Sequence, residues 1–390
     1  MFISTKHEVK MKINRRDFIK TASVGGAALF ANAEPKSIER VKTNTIPRWR
    51  GFNLLDYFSP RPPHNPNGRT TEDDLRWMVD WGFDFVRLPM AYPRWIKYDA
   101  TPIRAEDVYN IDASVLESID ELVALAHKHG LHVSLNLHRA PGYCVNAGFV
   151  EPFDLWSDQA ALDAFCFHWQ LFAKRYRHFS SEQISFDLVN EPSTRADMND
   201  QHSRRGAVPG AAYRRVAQAA AAAIRAFNPD HLIIADGNNV GNNVTPELID
   251  LGVAQSCRGY LPAIISHYQA PWVYKNSENL PKPVWPGKIG EEEWHRGRLE
   301  AYYEPWIALK EQGVGVHCGE CGCWKNTPHE VFLAWFGDVL DVLTDNDIGY
   351  ALWNFRGDFG VLDSNRSDVS YEDWYGRKLD RKLLELLKRH

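Results

Sequence analysis

After residue 33, no apolar run in this 390-residue chain approaches the ~20 residues that a membrane-spanning helix needs, so no membrane partner is expected for the mature protein. Basic charge is not in excess either. The chain carries 45 Lys and Arg against 50 Asp and Glu, a net charge of −5. Nucleic acid binding calls for a basic patch, so nucleic acid is excluded as the main partner. No low-complexity segment or linker interrupts the chain after residue 33, which leaves one large domain. There is no G-x-G-x-x-G after the first strand-like run and no P-loop, and both absences count against a doubly wound nucleotide-binding sheet. The six cysteines, Cys144, Cys166, Cys257, Cys318, Cys321 and Cys323, do not have the spacing of a disulfide framework. What the chain has in plenty is tryptophan, 14 in all within a 12% aromatic content. Indoles make flat platforms for sugar rings or bases.

The N-terminus reads as an address rather than as fold. Asn14-Arg15-Arg16-Asp17-Phe18-Ile19-Lys20 is followed by an apolar, small-residue run to Phe30 and then by Ala31-Asn32-Ala33. A twin-arginine pair, an apolar stretch and an A-x-A cleavage site together make a twin-arginine signal peptide. Residues 1–33 carry six Lys and Arg and two Asp and Glu, so their removal leaves a mature chain near −9. The expectation is a bacterial precursor that engages the twin-arginine export machinery and matures into a periplasmic or secreted monomer. Residues 34–44 serve as a linker and 45–390 as the catalytic domain. This route carries folded proteins, so the cysteines can fold reduced.

Strand-like runs alternate with helix-like runs along the rest of the chain. The strand candidates are 49–55, 83–88, 132–139, 184–190, 232–236, 263–268, 314–320 and 349–355. Between them, 112–130 repeats apolar residues at helical spacing, with Gly130 placed as a C-terminal cap. Thr327-Pro328-His329-Glu330 has the pattern of a capping box opening another helix. Repeated strand–helix units imply a parallel sheet, and eight of them imply a closed (β/α)₈ barrel of class α/β. A doubly wound open sheet is the alternative.

Polar and ionisable residues gather at the C-terminal ends of these strands: Arg87, His138, Asn190 with Glu191, Asp236 with Asn238, His267 with Tyr268, Glu320 and Trp353. In a (β/α)₈ barrel that face carries the active site. Two glutamates facing one cleft are what glycosidic cleavage needs, one to protonate the departing oxygen and one to attack the anomeric carbon or activate water. Arg87 would hold one carboxylate ionised by its charge. Asn190 would reach the sugar 2-hydroxyl. Strand alternation puts Cys318 and Glu320 on one face and Cys321 on the other.

This set of residues on eight strand–helix units resembles glycoside hydrolase family 5, the cellulase-like retaining glycosidases, over nearly the whole mature chain. The resemblance implies that Glu191 is the acid/base and Glu320 the nucleophile. It also implies that Arg87, His138, Asn190, His267, Tyr268 and Trp353 bind a carbohydrate substrate, with no metal or other cofactor. Two departures mark an outlying branch. The family's strand-six His-x-Tyr is read here as His267-Tyr268-Gln269, and its Gly-Glu-aromatic-Gly as Gly319-Glu320-Cys321-Gly322. Two rival readings stay open. His317, Cys318, Cys321 and Cys323 could hold a metal, because C-x₂-C is ligand-like spacing. Tyr57, Trp95, Tyr143, Trp156, Trp272, Trp285 and Trp324 could instead serve a carbohydrate-binding barrel without catalysis.

Replacing both Arg15 and Arg16 with Lys is expected to leave the precursor in the cytoplasm of its bacterial host, as read by cell fractionation. Undiminished accumulation of that variant in the periplasm would overturn the reading of the leader.

Overall fold

The structure is a computed structural model, and it describes residues 44–60, 65, 67–99, 101–197 and 199–390. The leader expected over residues 1–33, and all of the linker except residue 44, lie outside the described residues. Eight parallel strands close on themselves: β1 (Arg50–Asn53), β2 (Phe85–Ala91), β3 (His132–Ala140), β4 (Ile184–Asp187), β5 (Leu232–Asp236), β6 (Ala254–Gly259), β7 (Val316–Cys321) and β8 (Gly349–Leu352). Each pairs with the next, and β8 pairs with β1 through Arg50 and Tyr350. The fold is therefore the (β/α)₈ barrel implied by the strand–helix alternation. Helices α1 (Glu72–Asp80), α2 (Ala113–Lys128), α3 (Gln159–Arg175), α4 (Gly210–Arg225), α5 (Arg296–Glu311), α6 (His329–Asp345) and α7 (Arg381–Arg389) surround it. Two short pieces, a helical turn at Asn238–Gly241 and a 3₁₀ helix at Pro246–Leu251, join β5 to β6.

Local chemistry explains the helix boundaries. Asp112 opens α2 by accepting the amide of Ser114, and Gly130 takes φ +75° just beyond its end, as the sequence suggests. The capping box expected at Thr327 does not form. Thr327 donates its hydroxyl to the Ile265 carbonyl instead, and the Asp368 carboxylate, reaching in from 39 residues away, accepts the His329 amide at 2.7 Å. A tertiary partner has taken over a local one.

The sixth strand is not where apolar patterning puts it. Residues 263–268 were expected to be a strand, but Ala263–Ser266 is a single helical turn following Pro262. The strand is Ala254–Gly259, whose Gln255, Ser256 and Arg258 are all buried. A strand this polar reads as loop, because patterning assumes that burial and apolarity go together. Here each polar group has a partner. The Gln255 amide exchanges two bonds with the Thr245 backbone at 2.9 and 2.8 Å, and Ser256 accepts from Arg258 at 3.0 Å.

A second local departure sits in β7. Its pairing register shifts between Cys318 and Cys321 on both neighbouring strands, which breaks the alternation rule around Gly319. Cys318 therefore does not share a face with Glu320 or oppose Cys321. Its thiol contacts both Cys257 and Cys321, beside Tyr303 of α5.

Close backbone approach at β1 yields a stability test. A Cβ on Gly51 would lie 1.7 Å from the Phe85 carbonyl oxygen, and backbone cannot yield as a flexible side chain does. Gly51→Ala is expected to cost about 1–3 kcal/mol and to lower the melting temperature by several degrees. Gly337, inside α6, meets nothing closer than the Leu386 Cδ1 at 3.8 Å. Gly337→Ala should gain up to about 1 kcal/mol from helix propensity alone. Thermal denaturation of the two variants showing shifts of the same sign would contradict this account.

Candidate active site

Five strands deliver charge to one floor. Arg87 near the middle of β2 is buried, and its guanidinium spreads across four neighbours. Nε donates to the Asp187 Oδ2 at 2.7 Å, Nη1 to the Glu320 Oε1 at 2.7 Å, and Nη2 to the Asn190 Oδ1 at 2.9 Å. Nη1 also reaches Asn53 of β1 at 3.1 Å. Arg258, near the end of β6, makes the mirror arrangement. Nε donates to the Glu191 Oε1 at 3.0 Å, Nη1 to the Asp236 Oδ1 at 3.1 Å, and Nη2 to both the Asp236 Oδ2 and the Asn190 Oδ1. Its Nη2 is also 3.5 Å from the Glu320 Oε1. The two guanidinium groups meet on one amide oxygen, which also fixes which way the Asn190 amide points.

Four carboxyls face two permanent positive charges, and the protons distribute accordingly. Burial pushes the Asp187 carboxyl up to about 7, aided by the charge of Asp236. Burial also pushes Glu191 up to about 7, with repulsion from Glu320 second. Asp236 goes the other way. Burial opposes its ionisation, but Arg258 and Arg87 together hold it below the usual carboxylate range. Glu320 has a third contact, from the Tyr260 hydroxyl to its Oε2 at 3.2 Å. The two glutamates thus share a site but not an environment.

Glu191 is held against backbone preference. Its φ of +49° lies in the left-handed region, which disfavours side chains by about 1–3 kcal/mol. Two bonds hold it there: its amide donates to the Asp236 Oδ2 at 2.9 Å, and its carbonyl accepts from Tyr143 at 2.6 Å.

Above this floor lies a cleft of about 940 Å³. Trp353 forms one part of its wall, with His138 stacked on it at 5.6 Å and Phe58 edge-on to both. Burial, then the charges of Arg87 and Arg258, push the His138 imidazole well below its ordinary range, so it is neutral. Trp272, Trp324 and Phe359 form another part of the wall, around His267.

The geometry brings together Glu191, Glu320, Arg87, Asn190, His138, His267 and Trp353. It does not bring in Tyr268, whose hydroxyl donates to the Leu280 carbonyl at 3.3 Å. The tyrosine against Glu320 is Tyr260, one residue past the true sixth strand, so misplacing that strand displaced the tyrosine too. His267 reaches the cleft from a helical turn in the loop after β6. Arg258, Tyr260, Asp187 and Asn53 were not assigned from sequence, and Asp236 was noted only as a strand end. One signal was available: Arg258-Gly259-Tyr260 keeps the spacing of His-x-Tyr with arginine in the histidine's place.

Of His317, Cys318, Cys321 and Cys323, only Cys318 and Cys321 meet. His317 turns its Nε2 to the Trp49 carbonyl at 3.2 Å, Cys321 points to Ala351 and Cys323 to Ile265. Among the described residues, no group of three or more His, Cys, Asp or Glu is placed to hold a metal ion. Of the seven loop aromatics, Trp272 and Trp324 line the cleft, whereas Trp95 is fully buried and bonds His168. Trp285 bonds Asp338 of α6 at 2.8 Å.

Comparison with known proteins identifies the family. The family model for Cellulase (glycosyl hydrolase family 5) matches residues 40–358. Endoglucanase C of Acetivibrio thermocellus is 26% identical over 329 residues, covering 77% of this chain and 89% of that protein. Cellodextrinase A of Ruminococcus flavefaciens is 26% identical over 291 residues, covering 71% and 76%. A crystal structure of a glycoside hydrolase superposes with a TM-score of 0.78 at 37% identity, covering 88% of this chain and 99% of that one. Thermotoga maritima Cel5A, solved with mannotriose, shares the fold at a TM-score of 0.66 and 21% identity, covering 90% and 100%. The arginine-laced pair of glutamates at the mouth of the barrel thus sits in a glycosidase, and the chain belongs to glycosyl hydrolase family 5, the cellulase family.

Proposed function

We propose that the protein hydrolyses β-glycosidic bonds of a glucan by double displacement, with Glu191 as acid/base and Glu320 as nucleophile. The observation that carries this reading is the unequal treatment of two neighbouring carboxyls. Arg87 lies 2.7 Å from Glu320, while burial and repulsion push Glu191 up to about 7. A group that titrates near neutrality can give a proton and take it back. A carboxylate backed by a guanidinium can attack. The choice of glucan rests on the endoglucanases and the cellodextrinase among the relatives.

In the first step, Glu320 attacks the anomeric carbon, the glycosidic C–O bond breaks, and the Glu191 proton passes to the departing oxygen. In the second, water attacks the same carbon, its proton goes to Glu191, and Glu320 leaves as a carboxylate. One guanidinium touches both carboxyls, which favours the retaining separation of about 5–5.5 Å over the inverting 6.5–9.5 Å. The Asn190 Nδ2 has no partner among the described residues and is a donor left over for a sugar hydroxyl. Trp353 offers a floor for the ring at the cleavage point, and Trp272 and Trp324 offer platforms further along the chain. A catalytic role suits these groups better than mere binding, since a binding barrel has no use for a buried, neutral-titrating acid. The Arg15-Arg16 leader supports export, so we propose that the enzyme meets its glucan outside the cytoplasm.

The proton on Glu191 sets the pH dependence. Its raised value keeps the acid form present below about 7 and loses it above, so kcat/KM should fall as pH rises past about 7. Glu191→Ala should reduce hydrolysis of a natural glucan by about 10²–10⁴-fold. It should spare aryl glycosides with good leaving groups, and with azide it should give a product of retained configuration. Glu320→Ala should be slower still, and azide should give the inverted product. Inverted product from the unaltered enzyme, read by NMR, would sink the mechanism. So would near-normal activity of Glu320→Ala.

A further inference from the structure

Arg258 occupies the place where the family's strand-six motif has histidine. Its chemistry there differs from an imidazole's. Three histidines of the barrel and its cleft, His138, His267 and His317, are all held below the ordinary imidazole range, His267 to about 4 and His317 to about 3, with burial as the leading cause. A histidine at 258 would meet the same burial and be neutral. An arginine stays charged. It also stays in place. Asp236 grips both its Nη atoms, Ser256 and the Cys257 carbonyl accept from Nη1, and Gly241 clears its stem, since a Cβ at 241 would lie 2.5 Å from the Arg258 Cγ.

We infer that Arg258 is the positioning residue that holds Glu191 as the ionised proton acceptor of the second chemical step, once Glu320 has lost its charge. The inference rests on the double-displacement reading above. It follows from what changes around Glu191 when the glycosyl-enzyme forms. The groups that face Glu191 are Arg258 of β6, Asp236 of β5, Glu320 of β7, Tyr260 after β6, Tyr143 from the loop after β3 and Tyr302 of α5. Arg87 of β2 and Asp187 of β4 join through Asn190 and Asp236. The three phenols are all raised by burial and stay neutral. Asp236 stays paired with Arg258. Glu320 alone changes charge, because attack on the anomeric carbon makes it an ester.

Before that attack, Glu320 repels negative charge on Glu191 and opposes the pull of Arg258, so Glu191 keeps its proton. After it, the proton has left with the sugar hydroxyl and the repulsion is gone. The Arg258 Nε, 3.0 Å away, then stabilises the carboxylate that must take the proton from the incoming water. When the ester bond breaks, Glu320 regains its charge and the starting state returns. A neutral residue at 258 would leave the donor in working order and weaken the acceptor.

The test compares Arg258→His and Arg258→Gln with Arg258→Lys, using dinitrophenyl cellobioside, for which the second step limits turnover. In the His and Gln variants, the basic limb of kcat/KM, read on a cello-oligosaccharide whose departing oxygen needs the Glu191 proton, should move up by about 1–3 pH units, the shift expected when a close opposite charge is lost. On dinitrophenyl cellobioside at neutral pH, the steady-state rate after the pre-steady-state burst should fall below that of the unaltered enzyme, and more glycosyl-enzyme should be present as added mass on the protein. Azide, which needs no general base, should raise turnover in both. The Lys variant should keep the basic limb near its original place. A basic limb unmoved in His or Gln, or activity loss with no burst and no azide effect, overturns the inference. If those two variants fail to fold by circular dichroism, the Lys variant decides alone, and a limb shifted in it by a unit or more overturns the inference. The stereochemistry of the unaltered enzyme, read separately, tells whether the underlying double displacement has failed instead.

Discussion

Arg87 and Arg258 meet at a single atom, the Oδ1 of Asn190, at 2.9 and 3.0 Å. Two like charges brought this close inside a protein repel strongly, and desolvation adds to the cost. The arrangement exists because four carboxyls, on or just beyond β4, β5 and β7, surround it. The arginines come from β2 and β6. Each strand end is therefore tied to the others by charge as well as by backbone pairing. The barrel positions the charges, and the charges in turn fix how the strand ends sit. The different proton affinities of Glu191, Asp187 and Asp236 follow from where each falls in this lattice.

Such a site carries stored cost. Glu191 sits in the left-handed backbone region, two carboxyls keep protons they would lose in water, and buried histidines are held neutral. None of this adds stability. It is sustained by what lies below and around it: the apolar layer between strands and helices, with Trp169, Trp306 and Trp335 fully buried in it. A large domain can tolerate local strain that a small one could not.

The fold was legible because alternation of strand and helix survives even where single boundaries slip. The glutamates and Arg87 were legible because they stand within or just beyond mostly apolar strands, against which a charge stands out. Arg258 was not, because β6 is polar along its length. The apolar Ala263-Ile264-Ile265 run beyond Pro262 offered a better strand by pattern, and His267-Tyr268 after it was read as an altered form of the motif. Tyr260 was lost with it. The faces of Cys318 and Cys321 were misjudged for another reason. A bulge inserts a residue that no local propensity announces, and every side chain beyond it turns over. Both misses have one root: a buried polar strand and a bulge are specified by distant partners, while sequence patterns report neighbours.

The charge lattice also bears on how the chain reaches its native state. The contact from Arg87 to Glu320 spans 233 residues, those to Asp187 and Asn190 about a hundred each, and Arg258 to Glu191 spans 67. Contacts of this separation form late, since long loops must close first. A half-barrel lacking β6 and β7 would present the Arg87 guanidinium without its Glu320 partner and the Glu191 carboxyl without any cation. Such a partial structure is penalised electrostatically, in addition to whatever apolar surface it leaves bare. The site that serves chemistry in the closed barrel thus sharpens the cooperativity of its closure, by making the last strands to arrive the ones that neutralise the first.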